Sequence, residues 1–192
     1  MRNYVELSLT PDLETPLYYL WQKVFQQIHI ALAENKGADG SSAISVAFPE
    51  YDAAEFSLGT KLRLIAQSEQ ELKKFQCEKW LERLSDYVSI GEIRAVPEHV
   101  SGYACFSQVK PKGSRENLAR RRARRTGESY EEALKHFEGY QQEISRLPFI
   151  HMQSVSNGHK FKLFIQQKIT AHPIQGPYSC YGLSGRSTVP IF

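Results

Sequence analysis

Apolar and polar side chains alternate in several short stretches of the first half of the chain, and this period of two is typical of half-buried strands. The alternation predicts four strands, at residues 3–10, 44–48, 61–66 and 87–96. In two other stretches the apolar residues recur three and four positions apart, which indicates amphipathic helices. The first helix is expected to begin at Thr15-Pro16, and the second at Ser68, where the sequence SEQE forms a capping box.

These six elements follow one another as strand, helix, strand, strand, helix, strand. Such an order is typical of the ferredoxin-like fold, in which a four-stranded antiparallel sheet carries both helices on one face. We therefore predict an α+β protein whose first domain, residues 1–96, is a ferredoxin-like βαββαβ unit. Many unrelated activities use this fold, so that the fold by itself predicts no function.

Beyond residue 96 the composition changes, and residues 97–192 are predicted to form a smaller α+β domain. Residues 98–106 have no clear period, and we interpret them as a connector. A capping box at Ser129 predicts a short helix that continues to about Ile144. The dipeptide Asn157-Gly158 is typical of a tight turn and joins two predicted strands. The strands and strand-like patches of this half are at residues 148–153, 160–167, 178–181 and 188–192.

The positive charge of the protein is concentrated in one segment, residues 108–125, which has the sequence QVKPKGSRENLARRRARR. This segment contains eight basic residues and one acid, a net charge of +7, in a chain whose formal net charge is +3. Because the basicity is local, it indicates one element that binds a polyanion and not a generally basic surface.

The same segment has the signals of a helix, since Ser114 can cap its first turn and Thr126-Gly127 can end it. Guanidinium groups bind phosphates or guanine edges in a fixed geometry, so we interpret the helix as a nucleic-acid-binding element. The alternatives are a solvated charged face or a localisation signal. At about 100° per residue, small and apolar residues lie near one side of the helix, and the opposite face carries Arg120, Arg121, Arg124 and Arg125.

The composition is that of a folded protein, with 192 residues of which 41% are hydrophobic and 11% aromatic. No run of about 18 apolar residues occurs, and the first residues lack the apolar core of a signal peptide. We therefore expect a cytoplasmic protein that has no part in a membrane. Three cysteines that are far apart suggest neither a disulfide framework nor a zinc pair, and we expect buried thiols at Cys77, Cys105 and Cys180.

Acidic residues are missing from the end of the chain, where no aspartate follows Asp86 and no acid of either kind follows Glu143. Nucleases that use magnesium need paired carboxylates as ligands, and this part of the chain offers none. We therefore expect neither a metal nor another cofactor. If the protein cuts nucleic acid, we expect it to do so without a metal. RNA permits such a reaction, because its own 2′-hydroxyl can attack the adjacent phosphate when side chains position it and move protons.

Among the six histidines, His29 differs in its setting, because it lies in the first predicted helix beside the apolar stripe and one turn after Phe25. A histidine in that position is more often structural than catalytic, and the residues alone leave both roles open. His151 and His159 could face each other across the predicted hairpin. No third ligand is in view there, so a metal site is not expected.

Four features in this order resemble one family. They are His29 in the first helix, the helix SRENLARRRARR, the run QSVSNGHKFKLFI at residues 153–165, and the ending YSCYGLSGRSTVPIF. The chain is similar, nearly from end to end, to the CRISPR-associated endoribonucleases of type I-F systems, the Csy-type enzymes that cut repeat RNA into guide RNAs. The resemblance implies that the partners are the CRISPR repeat stem-loop, the guide RNA that remains bound after cleavage, and the other subunits of the type I-F targeting complex.

The resemblance also implies the residues of the site. His29 would move the proton, Ser154 would orient the 2′-hydroxyl, and Tyr181 would help to fix the histidine. The products would be a 2′,3′-cyclic phosphate and a 5′-hydroxyl. The arginine helix would enter the major groove of the stem, and Phe161 would stack beneath its terminal base pair. The RNA-binding residues would then be Gln108, Lys110, Arg115, Arg120, Arg121, Arg124, Arg125, Ser156 and Phe161.

Other interpretations are open at this point. Without the resemblance, Ser154 and Ser156 would be ordinary hairpin residues and Tyr181 a core aromatic. The protein could be a non-cleaving RNA-hairpin-binding subunit of a CRISPR-type complex, or a duplex-DNA binder that uses the same helix. Gln108 and Lys110 also differ from the arginine and glutamine that the best-known form of the family has there. The donor and acceptor pattern therefore differs, which bears on the repeat sequence that is recognised and not on the reaction.

Overall fold

The computed structural model describes residues 1–141 and 145–192 and contains two antiparallel sheets with five α-helices, an α+β fold. The helices are α1 (Leu17–Glu34), α2 (Glu69–Phe75), α3 (Cys77–Leu81), α4 (Arg115–Thr126) and α5 (Tyr130–Lys135), and one 3₁₀ turn follows α3 at Glu82–Leu84. The strands are β1 (Asn3–Leu9), β2 (Ser45–Ala47), β3 (Lys61–Ala66), β4 (Val88–Ile90), β5 (Arg94–Ala95), β6 (Gly102–Val109), β7 (Phe149–Gln153), β8 (Lys160–Thr170) and β9 (Val189–Ile191).

The first sheet has the strand order β2-β3-β1-β4, with every neighbouring pair antiparallel, and β5 also pairs with β1. The single strand predicted at residues 87–96 is therefore two short strands. Ile90 lies opposite Leu7 and Arg94 opposite Tyr4, so three residues on one strand face two on the other. This extra residue is a bulge, and it interrupts the ladder where the sequence pattern alone suggested continuity.

Helix α1 forms because its apolar residues line one side, and that side is buried in the core: Leu20, Trp21, Val24, Phe25, Ile28, Ala31 and Leu32. The core also contains the inward side chains of β1, β3 and β6 to β8. The helix begins at Leu17, one residue later than predicted, and Pro16 precedes it without a side-chain cap. The indole nitrogen of Trp21 donates to the Gly59 carbonyl at 2.9 Å, which satisfies the one polar atom of this buried ring.

The second predicted helix is divided. The capping box at Ser68 forms as expected, with the hydroxyl accepting from the Glu71 amide and the Glu71 carboxylate accepting from the Ser68 amide. Gln76, with a φ of 49°, then ends α2 in the left-handed region, and a separate helix α3 begins at the next residue. Neither glycine nor proline marks this break, which explains why the sequence pattern did not predict it.

The second sheet has the order β7-β8-β6-β9. The connector predicted at residues 98–106 is wrong, because this stretch contains the start of β6, a central strand. Its alternation is lost because Ala104, Cys105 and Phe106 are all buried. The Cys105 thiol donates to the Ser184 carbonyl at 3.1 Å, so a later segment of chain covers the face that would otherwise meet solvent.

The chain forms two compact units. The first comprises Met1–Val109 with Leu147–Phe192 and contains both sheets, and the second comprises Lys110–Arg146 and contains α4 and α5. This grouping differs from the two domains expected from the sequence, residues 1–96 and 97–192, and that division stays a prediction. Helix α5 ends at Lys135, well before the expected end at Ile144, which itself lies outside the described residues. None of the helices that the structure describes is long and apolar enough to cross a membrane.

Candidate functional site

His29 is held on two sides of its ring. Its Nδ1 atom lies 2.9 Å from the Cys180 carbonyl oxygen, and because a carbonyl only accepts, Nδ1 carries the hydrogen. The Tyr181 ring stacks on the imidazole with centroids 4.0 Å apart and planes within 3° of each other. The other nitrogen, Nε2, has no hydrogen-bond partner among residues 1–141 and 145–192. The ring is therefore fixed in one orientation and one tautomer, with a lone pair left on Nε2.

The surroundings of His29 also favour its neutral form. Burial lowers the pKa of the imidazole below its usual 6.5, and the hydrogen bond to the Cys180 carbonyl offsets only part of this effect. Near neutral pH the side chain is thus uncharged, and Nε2 can accept a proton. This is the protonation state that a general base needs before the reaction begins.

Ser154 and Ser156 lie in the turn between β7 and β8. The Ser154 amide donates to the His159 carbonyl and the Gly158 amide to the Ser154 carbonyl, each at 2.8 Å. Gly158 has a φ of 69°, which explains why the Asn157-Gly158 dipeptide was a correct turn signal. The hydroxyls of Ser154 and Ser156 are 3.1 Å apart, so this turn presents two hydroxyls side by side.

Gln26 connects helix α1 to the strand that precedes Ser154. Its Oε1 accepts the Gln153 backbone amide at 3.0 Å. Gln26 is three residues before His29, and residues three apart lie on the same side of a helix. One side of α1 therefore carries the candidate base and also holds the end of β7, which brings His29 and the Ser154 turn to one region. Gln26 was not predicted from the sequence, because no local signal marks a glutamine whose partner is 127 residues away.

The segment that carries Cys180 and Tyr181 is fixed against the first sheet. The Val46 amide donates to the Gly182 carbonyl at 2.9 Å. Gly182 has a φ of 68°, and a Cβ at this position would lie 2.4 Å from Val46 Cγ2. Only glycine therefore allows the backbone to approach β2 this closely. This close approach places the Cys180 carbonyl and the Tyr181 ring against His29.

Two of the expected RNA contacts lie on the second sheet. Phe161 is the second residue of β8, opposite Met152, and is half-buried against the core. Gln108 lies near the end of β6, opposite Ile165, with its side chain exposed. Lys110, also exposed, is the first residue of the second unit.

The arginine helix α4 has the caps that the sequence predicted. The Ser114 hydroxyl accepts from the Asn117 amide, and Gly127 ends the helix with a φ of 78°. Ala119 is the buried residue of α4, and a side chain this small lets a neighbouring element approach the helix closely. The face predicted to bind nucleic acid is exposed at all four positions, Arg120, Arg121, Arg124 and Arg125.

Two other arginines of α4 are engaged within the second unit. Arg122 Nε lies 2.5 Å from the Glu128 carboxylate, a charge contact without the angle of a hydrogen bond, and the guanidinium helps to hold the pKa of Glu128 below its usual value against the opposing effect of desolvation. Arg115 is half-buried, and its Nη2 donates to the Leu134 carbonyl at 3.4 Å. Arg115 thus differs from the four exposed arginines, although all five were predicted to bind RNA.

Within the described ranges, no group of three or more His, Cys, Asp or Glu side chains could hold a metal ion. His151 and His159 do not face each other as the hairpin suggested. His151 lies opposite Lys162 on β8, and His159 is in the turn, where its amide donates to the Asn157 side chain. The cysteines are free, with Cys77 and Cys105 buried and Cys180 half-buried.

Comparisons with known proteins agree over the whole chain. The sequence model of the family Cas_Csy4, described as CRISPR-associated protein, matches residues 4–192. A Pseudomonas aeruginosa (strain UCBPP-PA14) protein named CRISPR-associated endonuclease Cas6/Csy4 is 36% identical over 195 residues, covering all of both chains. An Escherichia coli (strain UTI89 / UPEC) protein of the same name is 32% identical over 193 residues, again covering both chains completely.

One solved structure, described as an RAMP protein binding different RNA substrates, covers 98% of this chain and 99% of that chain at 12% identity. Its TM-score of 0.33 is too low for the likeness to support an argument. The match to the family model and the identity to the two relatives come from the sequence and are independent of this structural likeness. The chain belongs to the Cas_Csy4 family of CRISPR-associated proteins.

Proposed function

We propose that this protein is an endoribonuclease that binds the stem-loop of a CRISPR repeat RNA and cuts at the 3′ base of the stem. Two relatives that align with the whole chain are named CRISPR-associated endonucleases. The observation that carries the proposal is the state of His29, a neutral imidazole fixed by Cys180 and Tyr181 with Nε2 free. The helix that bears His29 also accepts, through the Gln26 side chain, a hydrogen bond from the amide of Gln153, the residue before Ser154.

In the proposed reaction no metal takes part. Nε2 of His29 accepts the proton of the 2′-hydroxyl, and the 2′-oxygen attacks the adjacent phosphorus. The bond from phosphorus to the 5′-oxygen breaks, that oxygen takes a proton from solvent, and the His29 imidazolium returns its proton to solvent. The products are one RNA with a 2′,3′-cyclic phosphate and another with a 5′-hydroxyl. Ser154 orients the 2′-hydroxyl by a hydrogen bond, and the stacked Tyr181 ring keeps the imidazole in the plane needed for transfer.

The grip on the RNA is proposed to come from groups outside this cluster. The four exposed arginines of α4 would contact the stem through its major groove, with guanidinium groups paired to phosphates or guanine edges. Phe161 would stack under the terminal base pair, a contact that is typically worth about 1–3 kcal/mol. Gln108, Lys110, Arg115 and Ser156 would add hydrogen bonds near the foot of the stem.

Two finer features belong to the same proposal. The antiparallel order β2-β3-β1-β4 supports a ferredoxin-like arrangement of the first sheet and its helices. We further propose that the protein stays on the cut hairpin and joins the other subunits of a type I-F targeting complex. A cut at the edge of the arginine and stacking contacts removes little of the contact surface, which gives a physical reason for retention.

The proposal is tested by incubating the protein in excess EDTA with three nucleic acids: repeat RNA, the same RNA with one 2′-deoxynucleotide at the cut, and matching DNA. We expect cutting of the first alone and tight binding of the first two. Binding of the RNA without cutting would indicate a non-cleaving subunit, and preference for the DNA would indicate a duplex-DNA binder. A strict need for added magnesium or manganese would overturn the proposed chemistry.

A further inference from the structure

The register of β7 and β8 sorts their side chains onto two faces of the second sheet. Ile150 and Met152 of β7 and Leu163 and Ile165 of β8 are buried in the core. The alternate residues point the opposite way, since Phe149 lies opposite Phe164 and His151 opposite Lys162. We call this second set the outer face, and its aromatic and basic members are Phe149, His151, Lys160, Lys162, Phe164 and Lys168.

The charge of the outer face has one sign. The lysines at 160, 162 and 168 are exposed, and none of them is paired with a carboxylate among the described residues. No aspartate or glutamate occurs in the sequence beyond residue 143, so neither strand of this hairpin carries an acid. Such a face attracts a polyanion and leaves the ammonium groups free to contact phosphates.

Aromatic rings lie among these lysines. Phe149 is 39% exposed. The Lys162 ammonium is 4.4 Å from the centroid of the Phe149 ring. The His151 ring packs edge-on against the Phe149 ring with centroids 5.2 Å apart, and the Phe164 ring lies 5.3 Å from it. A flexible ammonium covers the ring face and can move aside for another planar group. Cations beside accessible rings are the combination with which proteins bind single-stranded nucleic acid.

We propose that the outer face binds single-stranded RNA next to the hairpin. This inference rests on the proposed function and adds a second RNA surface to it. A duplex hides the faces of its bases, whereas a single strand can stack a base on Phe149 while Lys162 and Lys168 contact its phosphates. Lys160 is the first residue of β8 and directly follows the turn that carries Ser154 and Ser156. The outer face therefore begins next to the proposed cutting site, where a single-stranded RNA that leaves the site can reach it.

The test uses RNA with one 2′-deoxynucleotide at the cut, so that binding is measured without cleavage. Three RNAs are compared: the bare hairpin, the hairpin with a single-stranded 5′ extension, and the hairpin with a single-stranded 3′ extension. The variant Lys162→Gln with Lys168→Gln removes two charges from the outer face. The control Lys36→Gln with Lys74→Gln removes two charges from exposed positions elsewhere in the same unit. Thermal melting shows that each protein is folded.

With wild type and control, we expect one of the extended RNAs to bind about tenfold more tightly than the bare hairpin, an effect typical of base stacking. The outer-face variant should lose this increase and keep its affinity for the bare hairpin. Its plot of log affinity against log salt for the extended RNA should flatten by about 1.4, since each phosphate that a protein neutralises on a single strand contributes about 0.7. Phe149→Leu should lose the increase in affinity without the change in salt slope.

The inference is overturned if neither extension increases the affinity of wild type, or if the outer-face variant keeps the whole increase. The second result would assign this face to a protein partner or to none. Failure of the proposed function gives different results. A non-cleaving subunit would bind the bare hairpin but leave the all-ribose hairpin uncut, which does not bear on the outer face, whereas a protein that does not recognise the repeat would not bind the bare hairpin. In that case a single-stranded RNA without a hairpin decides the matter, and equal binding by wild type and the outer-face variant would exclude the surface.

Discussion

The region around His29 and the arginine helix differ in almost every physical respect. His29 is half-buried and uncharged, and each of its contacts comes from a distant part of the chain. The arginines of α4 that were expected to bind RNA are mostly exposed and charged, and the signals that build their helix lie within it. Chemistry needs one group in one protonation state and one orientation, whereas affinity for a polyanion needs many charges that remain in water until the ligand arrives.

This contrast implies that cutting and binding can be separated by mutation. Changes around His29 should alter the rate of cleavage with little effect on affinity, and changes on α4 should alter affinity and its dependence on salt.

The largest effect is expected for His29→Ala. Loss of the proton acceptor should lower the single-turnover rate by at least about a thousandfold, within the range that general acid–base catalysis supplies. Affinity for the hairpin should stay within about twofold, because the binding groups are untouched. His99→Ala, an exposed histidine, is the control. If His29→Ala instead lowers the melting temperature and weakens binding and cutting together, His29 is a packing residue and the comparison fails.

Ser154→Ala should slow cleavage by about a hundredfold, since misplacement of a reacting group by about 1 Å has an effect of that size. The hydroxyl of Ser156, 3.1 Å away, limits the loss if it can take over part of the role. Single-turnover rates of Ser154→Ala, Ser156→Ala and the double variant separate the two contributions. A rate for the double variant equal to that of wild type would remove this turn from the mechanism.

Arg121→Ala with Arg125→Ala should weaken binding of the hairpin about tenfold at moderate salt and flatten the plot of log affinity against log salt by about 2, one unit for each phosphate that is no longer neutralised. The cleavage rate at saturating protein should change little. The control is Arg83→Ala with Arg94→Ala, which removes two exposed arginines from the other unit. An unchanged slope for the α4 variant would show that the helix does not contact the RNA.

Gln26→Met keeps the length of the side chain and removes the acceptor for the Gln153 amide. We expect a loss of about fivefold in the single-turnover rate, the size of one net hydrogen bond of about 1 kcal/mol. Gln26→Glu, which keeps an acceptor oxygen, should restore most of the rate. The control is Gln27→Met on the same helix. Equal rates for Gln26→Met and Gln26→Glu would show that the bond does not position the Ser154 turn.

The smallest effect concerns pH. Because burial lowers the pKa of His29, its neutral form should predominate at pH 6.5, and the midpoint of the rise of the single-turnover rate with pH should lie below 6.5. The same shift affects stability. A base whose pKa is lower in the folded protein contributes stability above the unfolded value of 6.5, and this contribution is lost as pH falls below it. In His29→Gln this part of the pH dependence of melting should disappear. A midpoint at or above 6.5 would contradict the assignment.

Much of the local structure follows from the sequence. Side-chain capping at Ser68, Ser114 and Ser129 was predicted and is present, because a cap involves atoms only a few residues apart. The apolar side of α1 and the bounds of β3 were likewise readable from their periods. The concentration of charge at residues 108–125 needs no structure at all, since it is a property of composition.

Two of the errors arise where another part of the chain changes the surroundings of a segment. Strand β6 had no alternating pattern because the segment at Ser184 buries its outer side. The predicted fourth strand is divided by a bulge opposite β1, and the predicted second helix by the left-handed Gln76. None of these features is expressed in the local order of apolar and polar residues.

The residue types available for chemistry, the location of the charge and most of the regular segments follow from the order of amino acids alone. The state of His29 depends on the tertiary structure, because its partners are the Cys180 carbonyl, 151 residues away, and the Tyr181 ring. The hydrogen bond that the Gln153 amide donates to the Gln26 side chain depends on the fold in the same way. Such contacts depend on how β7, α1 and the segment beside β2 pack in three dimensions. The same packing buries the histidine and lowers its pKa, and a local stretch of sequence does not predict this effect.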